Sequence, residues 1–199
     1  MTRVSTDRPG WAEHVAGTVL DTVRRGPSVR VVAVEGRSGS GKSTVADHLC
    51  RALAKRGEPV ALLPMEDLYP GWDGLAESCV LLREWVLDPL GRGRAPAWHR
   101  YDWESGSFDT AWTALPDDLL TGGGTLVVEG CGSGAAPVRG ACDLLVWVEA
   151  AEPTRARRLD ARQDAPQYGP HRARWARQEE ALYAVDPPWE RADVLVDNG

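Results

Sequence analysis

Val29-Arg30-Val31-Val32-Ala33-Val34-Glu35-Gly36-Arg37-Ser38-Gly39-Ser40-Gly41-Lys42-Ser43-Thr44 decides the architecture of this chain. Its first seven residues are mostly β-branched and apolar, the composition of a strand buried on both faces. The next eight fit G-x-x-x-x-G-K-[ST]. Glycines let the backbone curl until successive N–H groups point inward. A helix opening near Lys42 adds its N-terminal amides and its dipole. The segment therefore reads as a polyphosphate cradle, with Gly36, Ser38, Gly39, Ser40, Gly41, Lys42, Ser43 and Thr44 as its nucleotide-binding residues. Lys42 brings a positive charge to the β- and γ-phosphates of ATP, and the Ser43 hydroxyl suits Mg²⁺. A flexible glycine–serine turn is the bland alternative. It accounts for neither the strand before nor the helix after.

Working outward, residues 11–25 hold Val15, Val19, Leu20 and Val23 at helical spacing, with Gly26-Pro27 as a stop. Residues 43–56 read as a helix ended by Gly57, and residues 59–65 as a second strand. Residues 67–74 read as a loop. Residues 75–90 read as a helix with Val80, Leu81, Trp85 and Val86 on its core face. Residues 91–108 look irregular, and 110–120 helical. Further apolar strands are expected at 125–129, 144–148 and 192–196, with helices at 152–165 and 172–184. Strands alternating with helices predict a parallel sheet covered on both faces, in one α/β domain spanning 1–199. Within it, 1–27 holds the N-terminal helix and 152–170 an arginine-rich lid.

The bulk properties fit this. A length of 199 residues suits one domain, and 43% hydrophobic with 26% charged residues is ordinary for a globular chain. A net charge of −6 gives no support to a nucleic-acid or membrane-surface partner. No apolar run is long enough to span a bilayer, and the first ten residues lack the apolar core of a signal peptide, so the expected location is the cytoplasm. Cys50, Cys79, Cys131 and Cys142 show no metal-ligand spacing and are expected to be reduced and structural. Lysines are scarce beside arginines, which makes the one at Lys42 more informative.

Ligands of an open parallel sheet bind at the carboxyl ends of its strands. Asp67, just past the second strand, is placed there to take a proton from an attacking hydroxyl. A turn cap fits its position equally well. Glu129 closes the third strand and is expected, with Ser43, to hold Mg²⁺; a solvated strand end is the alternative. Arg155, Arg158 and Arg162 follow i, i+3, i+7 spacing and share a face that would close over a transferring phosphoryl group. The alternative is a solvated helix paired locally with Glu152, Asp160 and Asp164. Lys42, Asp67, Arg158 and Arg162 are thus the expected catalytic residues.

Together these residues resemble the uridine kinase-like branch of P-loop nucleoside kinases, over about residues 29–198. Glu35 to Thr44 is similar to that family's ATP site, and Asp67-Leu68-Tyr69 to its Asp-x-Tyr element. Tyr101-Asp102-Trp103 resembles its Tyr-Asp-Phe element, and residues 126–130 its Glu-Gly strand end. Residues 154–164 resemble its arginine lid, and residues 191–196 its last strand. The resemblance implies a three-layer P-loop fold with a five-stranded parallel sheet in the order 2-3-1-4-5. It implies ATP-dependent phosphorylation of a hydroxyl, typically of a nucleoside, with the aspartate as base.

Tyr69, Trp72, Trp98, Tyr101, Trp103, Phe108 and Trp112 lie between the second and third strands. They could stack on a flat or apolar acceptor or simply fill the core. Tyr69, Tyr101 and Trp103 are the expected acceptor contacts. The expected partner is a small-molecule hydroxyl compound, with a homo-oligomer left open. Four readings remain at this point: a nucleoside kinase, a kinase for another alcohol such as an antibiotic or cofactor precursor, a nucleoside monophosphate kinase using Arg83, Arg94 or Arg100, and an NTP-dependent switch. The switch lacks an Asn-Lys-x-Asp guanine reader.

Overall fold

A computed structural model describes residues 1–25 and 29–199. The chain starts with β1 (Thr2–Ser5), α1 (Trp11–Asp21), β2 (Val29–Glu35), α2 (Lys42–Lys55) and β3 (Val60–Pro64). After a 3₁₀ turn at Met65–Asp67, a continuous helical run comprises α3 (Leu75–Leu81), a π-helical segment (Leu82–Leu87) and α4 (Asp88–Gly91). A hairpin of β4 (Ala97–Asp102) and β5 (Ser107–Ala114) follows, then α5 (Asp117–Gly122), β6 (Gly124–Glu129), α6 (Ala136–Arg139) and β7 (Leu144–Glu149). The last part holds α7 (Glu152–Asp160), α8 (Ala165–Tyr168), α9 (Arg172–Tyr183), α10 (Pro188–Arg191) and β8 (Val194–Asp197).

The main sheet has six strands in the order β1-β8-β7-β2-β6-β3, all parallel. The expected five strands in the order 2-3-1-4-5 left out β1. Four residues of mixed polarity carry too weak a pattern to read as a strand alone. They form one by adding to the edge, Arg3 in register with Leu195 and Val4 with Val196. β2 is central, between β6 and β7, and every one of its residues is buried.

Each face of the sheet carries its own core. α1 and α2 cover one face, packing Val15, Val19, Leu49 and Leu53 against Val32, Val34 and Val146. The other face packs Val31, Val128 and Leu145 under Leu63, Leu82, Leu119 and Tyr183. Each such side chain, buried from water, contributes about 1.5–3 kcal/mol. Among the described residues no helix is long and apolar enough to cross a membrane. The four cysteines are free thiols, three of them buried.

Several local expectations need correction. α1 ends at Asp21, and the expected stop at Gly26-Pro27 lies outside the described residues. Residues 107–114 form a strand, not a helix, because Thr110, Trp112 and Thr113 favour an extended chain and pair across the hairpin, Trp112 with His99. Residues 97–102 are its partner rather than irregular. In the 75–90 region Val80 faces solvent, while Cys79, Leu82 and Val86 are buried. The arginine helix stops at Asp160, so Arg162 lies in the turn beyond it.

Candidate active site

Glu35 ends β2 inside the protein, and the chain turns at once into the glycine-rich loop. Two glycines there, Gly39 and Gly41, adopt positive φ of 78° and 87°. A Cβ on Gly36 would lie 2.5 Å from the Val148 carbonyl, and one on Gly39 would lie 2.6 Å from the Arg155 carbonyl. Only glycine allows this backbone to pass so close to β7 and α7. The loop delivers Lys42 and Ser43 to the first turn of α2.

A cavity of about 940 Å³ opens there. Ser38, Lys42 and Ser43 from the loop form one wall, with Glu129 at the end of β6 beside them. The same cavity is lined by Glu66, Arg162, Asp164 and a set of rings: Tyr69, Trp72, Trp103, Tyr168, His171 and Trp175. Burial works against the Lys42 ammonium. The acidic groups around it, Cys131, Glu129, Glu179 and Glu35, more than offset this and hold its pKa above the usual lysine value. Lys42 is therefore a fixed cation facing the cavity.

Glu129 is buried, which raises its pKa; Lys42 and a hydrogen bond from Ser43 pull it back. Its Oε2 is a buried oxygen with no hydrogen-bond partner. A hard divalent cation seeks an oxygen of this kind. Ser43 and Glu129 thus fit Mg²⁺ in donor type and neighbourhood. Gly130, which follows with φ 139°, lets the strand end approach the 3₁₀ turn: a Cβ there would lie 2.5 Å from the Met65 Cβ.

That turn separates two adjacent acids. Asp67 is buried, away from the cavity wall. Its Oδ2 accepts from Trp98 Nε1 at 3.2 Å and its Oδ1 from Arg100 Nε at 3.2 Å. Glu66 lines the cavity instead, 3.7 Å from Arg162. Asp67 therefore fastens the hairpin to the sheet, and Glu66 is the acid presented to the site.

The arginines divide in the same way. Arg155 Nη1 donates to the Ser38 carbonyl at 3.3 Å. Arg158 Nη1 donates to the Ser40 carbonyl at 3.1 Å, and its Nη2 to the Asn198 carbonyl at 3.0 Å. These two grip the outside of the loop. Arg162 reaches the cavity, where Asp164 holds it through bonds of 2.7 and 2.6 Å.

Among the expected acceptor contacts, Tyr69 and Trp103 line the cavity, whereas Tyr101 packs behind Trp103 at 5.2 Å between ring centres. Trp98 holds Asp67, and Trp112 lies on the outer hairpin against His99 and Trp85. Thr44 is exposed one residue beyond the wall. Sequence reasoning missed Tyr168, His171 and Trp175, which α8 and α9 bring back over the site. It also missed Glu179, whose Oε1 accepts from the Ser38 amide, the Ser38 hydroxyl and the Cys131 thiol. A carboxylate inside the α9 heptad, on the same face as Trp175 and Tyr183, was the available signal.

A buried strand, a glycine-rich loop, a lysine at a helix start and an acid closing the neighbouring strand define a P-loop NTPase domain of the ATP-binding kinase type. Residues 32–181 match the family model described as AAA domain, and the chain belongs to that family. No curated protein matches the chain. In fold it is similar to a protein described as a possible uridine kinase from Bacillus stearothermophilus, with TM-score 0.68 and 19% identity over 94% of this chain and 97% of that one. It is also similar to a candidate fructose transport system kinase from a Silicibacter species, with TM-score 0.57 and 20% identity over 93% and 98%.

Proposed function

We propose that this protein transfers the γ-phosphoryl group of ATP to a hydroxyl of a small molecule. The observation that carries the reading is one cavity lined by Lys42, Ser43 and the carboxylate of Glu66 together. Phosphoryl transfer needs positioned charge around the phosphate and an acid–base group at the acceptor. Lys42 and Arg162 meet the negative charge of the transferring group. Glu66 takes the acceptor proton, the role that Asp67 was expected to fill. Ser43 and Glu129 would hold Mg²⁺, which when bound neutralises charge on the phosphate oxygens. The rings opposite suit a flat or apolar body, so nucleosides and other ring-bearing alcohols are the classes to test.

Two alternatives lose support. A nucleoside monophosphate kinase needs basic groups aimed at the acceptor phosphate. Arg83 pairs with Asp88, Arg100 pairs with Asp67, and neither they nor Arg94 line the cavity. A switch would need no aromatic pocket beside its nucleotide. The free thiols fit a reducing cytoplasm. The test is coupled detection of ADP over a panel of nucleosides, sugars and amino alcohols, with Lys42→Ala as control. The reading fails if no alcohol raises ADP release above background hydrolysis.

A further inference from the structure

We propose that the acceptor is an alcohol that also carries a positive charge, an ammonium group on or beside its ring or apolar body. This rests on the kinase reading above and narrows its acceptor. Four carboxylates line the cavity, Glu66, Glu104, Glu129 and Asp164, against two cations, Lys42 and Arg162. Both cations are already engaged. Lys42 stands near Glu35 at the end of β2, Glu129 at the end of β6 and Glu179 on α9, and Arg162 is gripped by Asp164, lies 3.7 Å from Glu66 and covers the Tyr168 ring at 5.4 Å. ATP adds more negative charge. Mg²⁺ held by Ser43 and Glu129 would offset part of the ATP charge, but it leaves Glu104 on the acceptor side without a cation, which repels an anionic acceptor and favours a cationic one.

The rings point the same way. Trp72 lies at the centre of the acceptor side, with Trp103 at 4.7 Å and His171 stacked at 4.5 Å and 9°. Tryptophan faces attract organic cations, most strongly where water is partly excluded. Trp103 is followed directly by Glu104, whose carboxylate has no ion-pair partner among the described residues. Acids alone would be a solvated rim, and rings alone would take any apolar body. Their meeting in one cavity selects a cation. In the transfer step the acceptor oxygen bonds to the γ-phosphorus. The bond from that phosphorus to the β–γ bridging oxygen breaks, its electron pair leaves on ADP, and the hydroxyl proton passes to Glu66.

The test uses the full chain and two matched pairs: choline with its uncharged tert-butyl analogue, and glucosamine with N-acetylglucosamine. Uridine and AMP are run alongside. Binding is read first without ATP, as tryptophan fluorescence quenching, and then turnover as ADP release. The charged member of each pair should bind about tenfold tighter. Glu104→Gln, on the exposed hairpin turn, should shrink that gap while keeping the wild-type Tm, and Trp103→Leu should shrink it further. Equal binding of the neutral members, tighter binding of uridine or AMP, or no binding by any of the six overturns the inference. A charged alcohol that binds tightly without raising ADP release upholds the charge preference and overturns the kinase reading. ADP release with neutral alcohols only does the reverse.

Discussion

The Glu179 carboxylate accepts both hydrogen-bonding groups of Ser38, the amide at 3.0 Å and the hydroxyl at 2.6 Å. A side chain 141 residues away thus holds the third residue of the phosphate loop. The same oxygen takes the Cys131 thiol at 3.1 Å, so one atom joins the loop, the end of β6 and α9. Gln at this position retains the accepting oxygen but not the charge. Glu179→Gln should fold normally and bind ATP a few-fold tighter, because a negative group near the phosphates is gone. Glu179→Ala leaves three buried donors unmet, at about 1–3 kcal/mol each at most. At the low end of that range its Tm should fall by roughly 6–12 °C, with weaker ATP binding. Calorimetry and nucleotide titration on both variants check this. Weaker ATP binding in the Gln variant would show that the charge itself helps hold the loop.

Glu66 and Asp67 are neighbours with different tasks, and single substitutions separate them. Glu66→Gln should cut kcat by about 10²–10⁴-fold with ATP affinity kept, as expected for loss of a general base. Asp67→Asn instead loses its charge-assisted bond to Arg100 and weakens the one from Trp98. It should lower Tm and reduce kcat less than Glu66→Gln does. The reverse ranking of kcat would restore Asp67 as the base.

The contrast between those two acids also marks the limit of the sequence. The cradle was legible because strand, glycines, lysine and helix lie within sixteen residues and each constrains the next. So were the strand-end position of Glu129 and the alternation of strands with helices; the apolar runs of β2, β6 and β7 are buried on both faces, whereas β3 lies at the sheet edge and is half-exposed. What was not legible depends on side-chain direction or distant packing. A 3₁₀ turn, not position along the chain, decides that Glu66 faces the cavity and Asp67 the hairpin. The i, i+7 reading of Arg162 failed because α7 ends two residues before it. β1 exists only through its pairing with β8, and Tyr168, His171 and Trp175 reach the site through the fold.

Lys42 opens α2 at the edge of the cavity, where the glycine-rich loop ends. Lys42→Ala should lower kcat/KM by at least about a hundredfold, measured by coupled ADP detection. Retained turnover would remove the basis for the cradle.

Glu35 makes stability depend on pH. Its carboxyl is buried beneath the loop, accepting from the Gly36 amide, the Gly134 amide and the Tyr183 hydroxyl. Burial pushes its pKa up to about 7 from an ordinary 4.5, although those donors and Lys42 pull it down. The folded state therefore keeps a proton that the unfolded chain releases. Stability from this group is complete below about pH 4.5 and is lost as pH rises to about 7, by roughly 3 kcal/mol. Thermal unfolding of wild type and Glu35→Gln should show it as a difference: the wild type loses Tm relative to the variant between these limits and runs parallel to it above them. Parallel profiles throughout would mean that Glu35 stays ionised.

Arg158 and Arg162 give the last separation, since both were expected to act on the phosphoryl group and, of the two, Arg162 lines the cavity. Arg158 spends its donors on the Ser40 and Asn198 carbonyls, tying α7 and the end of β8 to the back of the loop. Removing it leaves those carbonyls short of donors, although Asn198 Nδ2 still reaches Ser40 at 2.8 Å. Arg158→Ala should therefore lower Tm and raise the KM for ATP, with kcat changed by less than about tenfold. Arg162→Ala removes one of the two cations of the cavity, whose ion-pair partners among the described residues are exposed acids. It should leave Tm nearly unchanged and lower kcat by about 10²–10³-fold. Arg162→Lys should recover only part of that loss, because an ammonium cannot keep the two-bond grip on Asp164 that aims the side chain. If Arg158→Ala gave the larger loss in kcat, α7 would have to lift off the loop during turnover.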